Sequence, residues 1–119
     1  MKAHWLWRIF HNSKAWFDTP PYTKGFRNLA NLADHFERHK SKFPSITRQG
    51  YADAADKFCG GKIAEDTLLC FRGRDGARVM YNVNSNEFAF VDANGFIGSY
   101  YIITKPRKGL EYFKRKCSE

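Results

Sequence analysis

Cysteine is scarce in this chain of 119 residues, and the three present, Cys59, Cys70 and Cys117, are odd in number and widely spaced. Such a set shows neither a disulfide framework nor paired zinc spacing, so free thiols in a reducing compartment are the simplest expectation. Long apolar runs are missing too: no stretch approaches the roughly 18 residues that a membrane-spanning helix needs. The cluster Trp5-Leu-Trp-Arg-Ile-Phe10 is shorter than a signal-peptide core, and no small-residue cleavage site follows it. Internal repeats and low-complexity segments are absent. Acidic residues are few, 12 against 20 Lys and Arg, which leaves a net charge of +8.

What is present suits a packed globule. Hydrophobic residues make up 43% and aromatics 17% of the chain, too many for a disordered segment. The length allows one domain with one core. The charge is uneven: residues 1–44 hold eight Lys or Arg against three Asp or Glu, and residues 101–119 hold six against two. Residues 45–100 are near balance, with six against seven. A fold that joins both ends would build one positive face, as polyanion binders have. The plain alternative is that the charge serves solubility alone.

Residues 1–23 are aromatic and irregular; Trp5, Ile9 and Phe10 suit one side of a short helix that Thr19-Pro-Pro-Tyr22 ends. From Phe26 to about Lys42 the apolar positions Leu29, Leu32, Ala33 and Phe36 follow a helical period, and Pro44 stops it. Ser45 or Thr47 suits the cap of a second helix running to about Phe58, with Tyr51, Ala54, Ala55 and Phe58 on one side and Gly60-Gly61 at its end. The segments 67–72, 77–83, 86–91 and 95–103 then read as strands, rich in aromatic and β-branched residues and separated by hairpin-turn residues. Gly109–Lys116 suits a closing turn or short helix. The expected class is α+β, with N-terminal helices packed on a four- to five-stranded antiparallel sheet.

The residues most suited to chemistry lie in Asp34-His-Phe-Glu-Arg-His-Lys-Ser-Lys-Phe43. His35 and His39 are four apart, on one face of a helix, among the cations Arg38, Lys40 and Lys42. Imidazole takes and gives a proton near neutral pH, and nearby cations favour a lowered pKa and an accessible lone pair. That combination suits a general base beside a bound phosphate. As a metal site it is poor: Glu37 falls on the opposite side of the helix, the cations repel a metal ion, and no third ligand is clustered with the pair. His35 also suits a purely local role, pairing within its helix. On the last strand, alternation places Ile97, Ser99, Tyr101 and Ile103 on one face, with Phe96, Gly98, Tyr100 and Ile102 on the other. Ser99 suits a hydrogen bond to a phosphate oxygen and Tyr101 the same or stacking on a base. Gly98 suits either close approach of a ligand or a bulge. Arg72, Arg74 and Arg78 flank one hairpin, where a phosphate clamp and plain solvent-facing cations are both compatible.

Taken in order, several segments form a pattern: His35-Phe-x-x-His39-x-x-x-Phe43, Tyr51-x-x-x-Ala55-x-x-Phe58, Asp75-Gly76, Tyr81 to Phe88, Asn94-Gly-Phe-Ile-Gly-Ser-Tyr-Tyr101 and Gly109-Leu-Glu-Tyr-Phe113. Over about residues 32–113 this resembles the colicin D nuclease domain and the C-terminal toxin domains of contact-dependent growth inhibition, within the barnase, EndoU, colicin and RelE-like group. The resemblance implies a metal-independent endoribonuclease without a cofactor, commonly one that cuts tRNA. It implies a single domain of 1–119 with a nuclease core over 25–119, working as a monomer in the cytoplasm, after delivery into a target cell where that applies. An acidic immunity or antitoxin protein is the implied partner.

By position, His39 matches that group's catalytic histidine, Ser99 its Thr or Ser, Tyr101 its aromatic, and Lys40 or Arg38 its neighbouring cation. His35 is the candidate acid. Arg38, Lys40, Lys42, Arg72, Arg74, Arg78, Lys105 and Arg107 are the candidate RNA-binding cations. The chain departs from the group at Lys40-Ser-Lys-Phe-Pro44, where Gly-x-Glu/Asp-Phe-Gly is common, and at Gly98, where a basic residue is frequent. A binding module of the same fold that does not cut, for RNA or for a protein, is the alternative.

Overall fold

Two side-chain caps decide where the first two helices begin in the computed structural model, which describes residues 21–104 and 108–119. The expected N-terminal helix, Lys105 and Arg107 lie outside the described residues. Asn28 accepts a hydrogen bond from the Asn31 amide at 2.9 Å and opens α1, Leu29–His39, three residues later than the apolar period alone suggests. A single 3-10 turn, Lys40–Lys42, follows before Pro44. Thr47, not Ser45, caps α2, Arg48–Gly60, by accepting from the Gly50 amide at 2.9 Å. Ser45 instead adopts φ 50° in the connection.

Strands β1 (Thr67–Phe71), β2 (Arg78–Asn82), β3 (Glu87–Val91) and β4 (Ile97–Ile102) follow, then α3, Gly109–Cys117. They form one antiparallel meander in the order β1-β2-β3-β4, so β1 and β4 are the edges. The protein has an α+β fold. One sheet face packs Leu69, Met80, Ala89 and Tyr100 against Tyr51, Ala55 and Cys59 of α2. Leu32 and Phe36 of α1 join at its margin. The other face packs Val79, Tyr81 and Phe88 against Tyr112 and Phe113 of α3. Across the first face the Tyr51 hydroxyl donates to the Tyr100 carbonyl, which fixes α2 to β4.

Two expectations are corrected. Cys70 and Cys117 form a disulfide, with Cα atoms 6.1 Å apart, that ties α3 to β1. Only Cys59 is a free thiol, and burial pushes its pKa up to about 12. The scarcity of cysteine therefore carries no information about compartment. The second correction concerns β4. Phe90 pairs with Ser99 but Val91 pairs with Ile97, so Gly98 is the extra residue of a β-bulge. The bulge resets the alternation: Ile97 joins Tyr100 on the α2 face, while Tyr101 and Ile103 belong to the α3 face.

Glycine is needed where α3 starts. A Cβ on Gly109 would lie 1.9 Å from the Tyr81 hydroxyl, on a ring that is 4% exposed. That hydroxyl is itself bonded to the Asn86 side chain at 2.7 Å. Gly109→Ala is therefore expected to destabilise the protein by about 2–3 kcal/mol through overpacking and the lost hydrogen bond. Urea unfolding checks this, and an unchanged midpoint would show that Tyr81 yields freely.

Candidate functional site

The end of α1 meets the edge strand β4, and the contact between them is aromatic. The His39 ring stacks on Tyr101 with centroids 5.1 Å apart and planes 21° apart. On its other side His39 stacks on His35 at 6.0 Å, and His35 lies 5.7 Å from Phe26. Tyr101 in turn stacks on Phe88 at 5.5 Å. The result is a ladder of five rings, Phe26, His35, His39, Tyr101 and Phe88, crossing from one side of the sheet edge to the other. Helical spacing supplies its middle, because four residues bring His35 and His39 onto one face.

A cleft of about 410 Å³ opens beside this ladder, lined by His35, Arg38, His39 and Lys42 from the helical side and Ser99, Tyr101, Ile102 and Thr104 from β4 and its end. Tyr112 of α3 completes the wall. Its hydroxyl is 2.7 Å from that of Tyr101, and its ring meets Phe88 edge-on at 4.9 Å. All four expected catalytic positions, His35, His39, Ser99 and Tyr101, thus line one cleft. Of the expected cations, Arg38 and Lys42 line it as well.

Lys40 is placed differently: it pairs with Glu37 at 2.8 Å and sits over the Phe36 ring. Arg72, Arg74 and Arg78 do not line the cleft. Arg72 is held by Asp75 at 2.9 Å and lies over Phe90, and Arg74 approaches the same carboxylate at 3.9 Å. The Arg78 guanidinium donates to the Cys59 carbonyl against α2. Tyr112, Ile102 and Thr104 are the lining residues that the sequence reading missed. Only the aromatic pair Tyr112-Phe113 on a helix whose other face is basic hinted at the first.

Both imidazoles have lowered pKa values. For His39 burial is the largest cause, followed by the neighbouring His35 and Arg38, with Asp34 opposing. For His35 burial again leads, then Arg38, with Asp34 opposing. The direction is the expected one, but withdrawal from water outweighs the neighbouring cations. Arg38 is itself paired with Asp34, its i−4 neighbour, at 2.6 Å. Its guanidinium also lies 3.5 Å from His35 Nδ1. A guanidinium only donates, so that contact places the lone pair on Nδ1. Because both folded values lie below the unfolded value of 6.5, the unfolded chain binds protons more readily. The stability contributed by these neutral rings is complete above pH 6.5 and is lost as pH falls through the folded values.

Two other clefts among the described residues lack this chemistry. One of about 660 Å³ carries Asp53 and Asp56, and one of about 410 Å³ beside Arg78 carries Asp92. Asp56 is already bonded to the Tyr22 and Thr23 amides at 2.8 and 2.7 Å. Neither contains an imidazole. Among the described residues, no three His, Cys, Asp or Glu side chains converge as a metal-ligand set, and no helix is long and apolar enough to cross a membrane. No protein-family model matches this chain, and no curated protein matches it.

Proposed function

We propose that the chain is a metal-independent endoribonuclease whose reaction centre is the His39 cleft. The single observation that carries this reading is the convergence of a neutral imidazole, two hydroxyls and two cations, His39, Ser99, Tyr101, Arg38 and Lys42, in one cleft of a basic protein. His39 takes the proton of a ribose 2′-hydroxyl. The freed oxygen attacks the adjacent phosphorus, the bond to the 5′-oxygen breaks, and the products are a 2′,3′-cyclic phosphate and a 5′-hydroxyl. Arg38 and Lys42 supply positive charge to the phosphoryl oxygens, and Ser99 and Tyr101 supply hydrogen bonds that strengthen as negative charge builds. The departing oxygen takes its proton from a solvent water, and the hydroxide so formed takes up the proton that His39 holds. His35 suits that step poorly, because its lowered pKa leaves it unprotonated at neutral pH. Its stacking on His39 suits holding that ring in place.

The substrate class follows from charge: the cations track an RNA backbone, while both faces of the Tyr101 ring are taken by His39 and Phe88 and leave it to offer only its hydroxyl. Within that class tRNA is the proposed target, on the resemblance to colicin D-like toxins, as is an acidic protein that binds the same positive cleft and silences it.

Purified protein incubated with total cellular RNA and excess EDTA tests the proposal. Discrete fragments ending in cyclic phosphate are the expected result. Intact RNA from a folded sample would overturn it, and salt-sensitive retention of that RNA would favour a binding module instead. The value of kcat/KM, which reports the free protein, should rise with pH through a midpoint below 6.5 and then level off, since the base must be unprotonated and its pKa is lowered. A midpoint above 7 would exclude His39 as that base.

A further inference from the structure

Tyr112 enters the cleft from α3, an element that contributes nothing else to it. Its position is set from two directions. The ring is held edge-on to Phe88 and is only 9% exposed, and the helix that carries it is tied to β1 through Cys117. The guanidinium of Arg115 and the ammonium of Lys116, three and four residues on, lie 5.2 and 5.5 Å from its ring centroid. A ring fixed this firmly presents its oxygen at a defined point. At that point, 2.7 Å away, is the oxygen of Tyr101, whose own ring is clamped between His39 and Phe88.

Packing alone would be served by phenylalanine at 112. The hydroxyl adds the bond to Tyr101. A bond between two phenol oxygens uses one of the two hydroxyl protons, and in the complex proposed here the other is donated to an anion bound in the cleft. Each hydrogen bond in such a chain polarises the next, so the donor facing the anion is strengthened. We propose that Tyr101 and Tyr112 form a phosphate-binding hydroxyl pair, in which Tyr101 touches the phosphoryl oxygen and Tyr112 is the positioning residue that aims and strengthens it. This rests on the reading of the cleft as a phosphodiester site and adds an element of it that comes from the opposite end of the chain. The same bond fixes the Tyr101 ring on which His39 stacks, so phosphate and imidazole are held in register by one contact.

The test is a titration with inorganic phosphate at constant ionic strength, followed by the imidazole NMR signals of His39. In the wild type, phosphate should shift these signals saturably and raise the His39 midpoint. Tyr112→Phe should weaken phosphate about three- to tenfold, with the melting temperature little changed. Tyr101→Phe should weaken it at least as much, and the double variant no more than Tyr101→Phe alone.

Unchanged affinity in Tyr112→Phe, or strictly additive losses in the double variant, would overturn the proposal and leave Tyr112 a packing residue. A wild type that gives no saturable response would overturn it too. Where Tyr112→Phe loosens α3, Tyr101→Phe breaks the same bond from the strand side and decides the matter alone: normal phosphate affinity there sinks the pair. The outcomes also separate this inference from the proposed reaction. Phosphate binding that needs both hydroxyls, in a protein that leaves RNA intact, supports the pair and removes the nuclease. Cleavage that is indifferent to Tyr112 does the reverse.

Discussion

Replacing His39 by alanine is expected to lower RNA cleavage at pH 7 by about 10²–10⁴-fold, the usual worth of general acid–base help. The fold should survive, because His39 is the last residue of α1 and α1 buries no residue completely. What the substitution removes is the one ring that stacks on both the second imidazole, His35, and the strand ring of Tyr101. The loss should therefore fall on the rate constant rather than on RNA affinity, which the cations dominate. Initial rates over a range of RNA concentrations, with EDTA present, separate the two. Imidazole added to the His39→Ala protein should restore part of the rate. A variant that keeps activity within threefold of wild type would move the base elsewhere in the cleft.

The disulfide should have the larger effect on stability. Cys70 and Cys117 are 47 residues apart, and closing a loop of that length restricts the unfolded chain by about 4 kcal/mol. Both sulfur-bearing residues are buried, at 0% and 8% exposed, so the bond is shielded in the native state and a reductant acts mainly on unfolded molecules. Urea unfolding of the Cys70→Ser/Cys117→Ser double variant, beside the untreated wild type, should show a deficit of that order. The variant should also lose part of its cleft function, because α3 carries Tyr112. Three reactive thiols in wild-type protein denatured without reductant would show that the bond does not form.

These residues also show what a sequence discloses and what it withholds. The helix starts, the strand limits and the hairpins are local matters, set by Asn28, Thr47 and the turn residues around Asp75-Gly76 and Asn94-Gly95, and each could be read within a few positions. His35 and His39 were legible for the same reason. The helical period even separates the cations: 35, 38, 39 and 42 form one stripe, and Lys40 lies off it, where the structure finds it paired with Glu37. The disulfide, the reset alternation at Gly98 and the arrival of Tyr112 are long-range outcomes. Cys117 meets Cys70 only because α3 lies across the face that presents Val79 and Tyr81, and nothing near either cysteine in the sequence encodes that. The hairpin arginines lie away from the cleft, with partners close to their own hairpin: Asp75 in the same turn for Arg72, and a helix carbonyl for Arg78.

β4 carries a further consequence, which concerns keeping the protein in solution. An outer strand exposes a row of unpaired amides and carbonyls, an invitation for another chain to add itself and begin aggregation. Here the first part of that row is taken by residues 25 and 26: Ile97 donates to the Gly25 carbonyl at 2.8 Å, and Phe26 bridges alongside. The remaining part runs past Ser99 to Ile102, where Arg38 and Lys42 stand guard and a bulge at Gly98 breaks the line. A strand docking there would have to bury two cations and straighten the kink. The positive charge proposed to hold a polyanion in this cleft thus also disfavours the joining of neighbouring molecules sheet to sheet.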